Sequence, residues 1–69
     1  MHVSTRTALI GQAQAIYQTW RDHHFSTAEA MLNLVPHHRT AYVVMFMTQA
    51  AIEEGLWHEF ISFISSVTK

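Results

Sequence analysis

Six histidines in 69 residues are the most unusual feature of this chain: His2, the pairs His23–His24 and His37–His38, and His58. Imidazole is a common zinc ligand in tetrahedral sites. Two ligands on one helix can share an ion only when they lie three or four residues apart, because adjacent side chains diverge by about 100°. Neither pair can therefore chelate from within a helix. Glu54 and His58 do have the i, i+4 spacing, but one such pair is an ordinary helix-surface contact. A histidine at a helix C-terminus is favoured by the dipole, which accounts for His23–His24 without a metal. Histidine also titrates near neutrality, so a pH-sensitive contact fits these residues better than a metal site. No metal and no cofactor are expected.

Nucleophilic chemistry has less support. There is no cysteine, which excludes thiolate catalysis, disulfides and thiolate metal sites and fits an intracellular setting. Ser26 falls where a helix cap is expected, and Ser62, Ser65 and Ser66 fall on a polar face. No Gly-x-Ser-x-Gly elbow, phosphate loop or dinucleotide fingerprint occurs. The chain is expected not to be an enzyme.

The elements that carry these residues read as helices. Leu9, Ala13, Ile16 and Trp20 follow one helical face within a segment from about Ser4 to His23, with Ser4 or Thr5 as its cap. Gly11 lies opposite that stripe. In "FSTAEAML", Ser26 and Glu29 have capping-box spacing and Phe25 sits where a hydrophobic staple would. Pro36 ends this second, short helix and suits the first turn of the next. Residues Ala41–Met47 are then apolar or aromatic without interruption. Their β-formers could read as a buried strand, but no other segment alternates with period two, so a strand would have no partner. The final segment, "GLWHEFISFISSV", presents a broad apolar arc of Leu56, Trp57, Phe60, Ile61, Phe63, Ile64 and Val67. Glu53 and Glu54 suit the start of that helix better than the end of the preceding one. A turn at Glu53–Gly55 is favoured over a kink. The expected fold is all-α, a single domain over residues 1–69 with three to four short helices.

Size and composition then point to a partner. A chain this short buries only about 60% of its unfolded surface. Apolar residues are 49% and charged residues 13%, about half the usual charge. A helix greasy on nearly every side has too few neighbours in so small a chain. The expectation is a homodimer with the Thr40–Ile52 helix near its axis and Val43, Val44, Phe46, Met47 and Ala50 in the interface. Arg39 and Tyr42, next to His38, form one candidate partner-binding group, and Trp20 with Arg21 form another, since Trp, Tyr and Arg dominate binding hot spots. The formal net charge of −1 gives no electrostatic footprint for direct nucleic-acid binding. A twelve-position greasy segment, Ala41–Ile52, is too short for a membrane span, which needs about 20. Membrane-surface binding by Trp57, Phe60 and Phe63 lacks basic support except Lys69. "MHVSTRT" has no basic n-region followed by an apolar run, so no signal peptide is expected.

The stretch "LVPHHRTAYVVMFMTQAAIEEG", about a third of the chain, resembles the proline-started greasy helix of small phage-encoded anti-activators of quorum-sensing regulators. The resemblance implies a dimeric helical protein in the bacterial host cytoplasm. It would bind a LuxR-type transcriptional activator, or the motor ATPase of type IV pili, and inhibit it. A small DNA-binding repressor or transcription cofactor, and a histidine-rich metal-binding protein, are the alternative readings.

Overall fold

A computed structural model describes residues 4–67, which form four α-helices and no strand. They are α1 (Thr5–Arg21), α2 (Phe25–Asn33), α3 (His37–Glu53) and α4 (Trp57–Val67). The all-helical expectation is met with the larger helix count. His2 and Lys69 lie outside the described residues.

Helix α1 starts where the sequence places it. The Ser4 hydroxyl accepts a hydrogen bond from the Thr7 amide at 3.1 Å, satisfying one of the donors that every helix start leaves free. Its end was not legible. His23 has φ +66°, and its amide donates to the Trp20 carbonyl while the His24 amide donates to the Thr19 carbonyl. These two bonds make a Schellman closure with histidine in the left-handed position that glycine usually fills. The same closure ends α3: Gly55 has φ +71°, its amide donates to Ile52, and that of Leu56 donates to Ala51.

Two boundary expectations change as a result. The capping box at Ser26 and Glu29 does not form, because the reversal at His23 carries the chain directly into α2. The Ala28 amide already donates to the His24 carbonyl, which puts Ser26 inside the first turn and leaves α2 without a side-chain cap. Glu53 closes α3 and Glu54 is its C-cap, so neither starts α4. The chain makes a turn here, as favoured, and the glutamates sit on its α3 side.

Helix α1 packs against α2 and α3, and α4 packs against α3. The α1 stripe Leu9, Ala13, Ile16 and Trp20 is buried, joined by Tyr17. Across from it lie Ala28 and Leu32 of α2, Val43, Met47 and Ala51 of α3, and Phe60 and Phe63 of α4. Trp20 is the hub: its ring centroid is 5.5 Å from Phe60, nearly edge-on, 5.5 Å from Tyr17 and 6.0 Å from Phe63. Each such pair adds about 0.5–1.5 kcal/mol beyond its buried area. Among the described residues no side-chain polar atom is buried without a partner, so the core carries no desolvation debt.

Candidate protein-binding site

Helix α3 has two faces of contrasting fate. Val43, Met47 and Ala51 are at most 1% exposed. Half a turn away, Tyr42, Met45 and Ile52 are 55%, 45% and 58% exposed, and Ala41 is exposed beside them. The chain therefore shields one side of its greasy helix by itself, using α1, and leaves the other side uncovered. The residues expected at a dimer interface lie on or beside this enclosed side. Val43 and Met47 are enclosed by the chain's own helices, and Val44, Phe46 and Ala50 pack partly buried against that core. The residues that face outward are Ala41, Tyr42, Met45 and Ile52.

The candidate partner-binding residues separate in the same way. His38 and Tyr42 are exposed and Arg39 is half-buried, all on the first two turns of α3. Trp20 is not available: it is 5% exposed because it anchors the aromatic cluster. Arg21 is at the surface but engaged, its Nη1 2.8 Å from Glu54 Oε2.

A groove of about 440 Å³ runs between the start of α1 and α3, lined by Arg6 and Leu9 on one side and Tyr42, Met45, Phe46 and Gln49 on the other. A second hollow of about 310 Å³ continues it along α1 past Ile10 and Gln14 towards Glu53. The groove has an apolar floor with arginine and amide groups at its rim, the usual make-up of a site for an amphipathic segment. Arg6 was not singled out by sequence, and Leu9 was read only as part of the apolar stripe. Their signal was weak, since each reads as a normal helix residue until α3 is laid alongside.

Glu54 was missed as well. Its Oε1 accepts from the Tyr17 hydroxyl at 2.6 Å and its Oε2 from Arg21 at 2.8 Å. This one carboxylate pins the last turn of α1 to the end of α3. Burial and the hydrogen bond to the Glu54 carboxylate push the Tyr17 hydroxyl up to about 12. The i, i+4 spacing of Tyr17 and Arg21 on α1 was the available clue, because both polar tips can reach one acceptor.

No group of three histidine or acidic side chains able to hold a metal occurs among the described residues. His23 sits at the α1 turn and stacks edge-on against Phe25 at 5.6 Å, while His37 and His38 sit in the first turn of α3. No helix among the described residues is long and apolar enough to cross a membrane. Comparison with protein-family models, curated proteins and solved structures returns no match to this chain.

Proposed function

We propose that this chain is a small non-enzymatic regulator that binds a host protein and inhibits it by occupying one of its interfaces. It acts as a homodimer in the cytoplasm of a bacterial host. The groove between α1 and α3, lined by Arg6 and Tyr42, with Arg39 one turn before Tyr42 on α3, is the observation that carries this reading. An exposed tyrosine beside arginine, over an apolar floor, supplies the anchor chemistry that hot spots share. The resemblance to quorum-sensing anti-activators makes a LuxR-type activator the first target to test, and a type IV pilus ATPase the second.

The test is a titration of purified LuxR-type activator with this protein, read as loss of activator–DNA complex. Wild type is expected to displace the activator stoichiometrically. Tyr42→Ala and Arg39→Ala are expected to weaken the effect by tenfold or more while the helical circular dichroism is unchanged. Absence of any interaction with either target class removes this reading. A DNA-binding regulator would need arginine, lysine, asparagine or glutamine to read bases. The outward face of α3 offers Ala41, Tyr42, Met45 and Ile52 around Gln49, which favours protein recognition over a repressor.

A further inference from the structure

We propose that a second copy of this chain covers the outer stripe of α3, and that the two α3 helices run antiparallel. The proposal rests on the homodimer in the reading above and deepens it. Recognition of a foreign protein through the α1–α3 groove, which shares Met45 with this stripe, is a separate claim with a separate test.

The stripe is His38, Ala41, Met45, Thr48 and Ile52, spaced three, four, three, four. That is the heptad seam of paired helices. The same helix buries its opposite side in its own core, so the seam is left for something outside the chain. Thr48 does not spoil it. Its hydroxyl donates to the Val44 carbonyl at 2.7 Å, which uses its proton within the helix.

Side-chain size chooses the direction. With the helices antiparallel about a point midway between Met45 and Thr48, Ala41 falls opposite Ile52 of the second copy, Met45 falls opposite Thr48, and His38 lies beyond these layers. Each of these paired layers then sets a small residue against a large one. A parallel pair puts alanine on alanine and methionine on methionine, which leaves one layer empty and crowds the next.

Charge chooses the same direction. The first turn of α3 carries His37, His38 and Arg39 and no acidic residue, and its last turn carries Glu53 and no basic one. Both ends oppose the helix's own dipole. The Glu53 carboxylate makes no hydrogen bond or ion pair among the described residues. An antiparallel copy sets the basic end of each helix beside the acidic end of the other and opposes the two dipoles. It therefore offsets at both ends what the isolated helix leaves unfavourable.

The absence of native cysteine allows a clean crosslinking test. Ala41→Cys and Ile52→Cys chains, each checked for helical circular dichroism, are oxidised separately and as a mixture. Ala41 and Ile52 are both exposed, so neither change touches the core. The mixture is expected to form an A41C–I52C disulfide dimer several-fold faster than either chain alone. Efficient crosslinking of A41C with itself would show a parallel pair and overturn the proposal. No crosslinking in any combination would overturn the second copy as the occupant of the stripe. Glu53→Gln supplies an independent reading. The antiparallel pair is expected to weaken roughly two- to tenfold at low salt, the scale of two exposed ion pairs, whereas tightening would contradict it.

Discussion

The two sides of α3 are chemically alike and physically unlike. Met47 is 1% exposed and Met45 is 45% exposed, two residues apart on one helix. Ala51 and Ala41 repeat the contrast. Nothing in residue type separates the two sides. What separates them is the α1 stripe of Leu9, Ala13, Ile16 and Trp20, which can cover only one face of its neighbour. A greasy helix in a small protein can thus serve two purposes, its own core on one side and recognition on the other. The core side is enclosed by the chain itself, and the outer side is the one the proposed dimer would cover.

Substitutions matched in type can break this contrast. Met47→Ala is expected to lower unfolding free energy by about 2–5 kcal/mol, a large share of the few kcal/mol that a domain this small holds. Met45→Ala, measured in dilute solution by urea unfolding, is expected to shift it by less than about 0.5 kcal/mol, as surface changes do. Equal losses at the two positions would show that the faces do not differ as described. Ala51→Leu is the next largest, about 1–3 kcal/mol from overpacking. Ala41→Leu is expected to leave folding unchanged and to alter only association.

The Glu54 latch gives a smaller effect and a signature in pH. Tyr17→Phe removes one hydrogen bond, worth about 1 kcal/mol. Because the folded Tyr17 titrates near 12 rather than at its ordinary 10.0, folding favours its protonated form. That contribution is complete below about pH 10 and is lost as the pH rises from about 10 to 12. Alkaline unfolding curves of wild type are expected to show this decline, and those of Tyr17→Phe to lack it.

The smallest contrast concerns the two Schellman turns. Gly55→Ala forces a Cβ into φ +71° with nothing within 4 Å to clash, so its cost of about 1 kcal/mol is backbone strain alone. His23→Gly relieves the same strain at φ +66° and is expected to stabilise by a few tenths to about 1 kcal/mol. Melting temperatures moving in opposite directions for the two variants would confirm that the turns are equivalent.

Helix positions, the Ser4 cap and the turn at Gly55 were legible because each leaves a local mark: periodicity, a hydroxyl before an apolar run, a glycine after one. The orientation of α3 was not, because a helix apolar almost all round has no weak side to mark as outward. The burial of Trp20 was not legible for a related reason. A tryptophan at a helix end reads equally as anchor or core until Phe60 and Phe63 are brought against it. The His23 turn left no mark, since only its φ distinguishes it from a C-terminal histidine favoured by the dipole. Glu54 escaped because its partners lie 37 and 33 residues away.

The central claim is that α3 keeps one face for its own chain and offers the other to a second copy. Sedimentation velocity of wild type and Met45→Glu across a hundredfold range of concentration tests it most directly. The expected result is a wild-type dimer that dissociates on dilution and a Met45→Glu chain that stays folded and monomeric throughout. A wild type that remains a folded monomer at the highest concentration would contradict it.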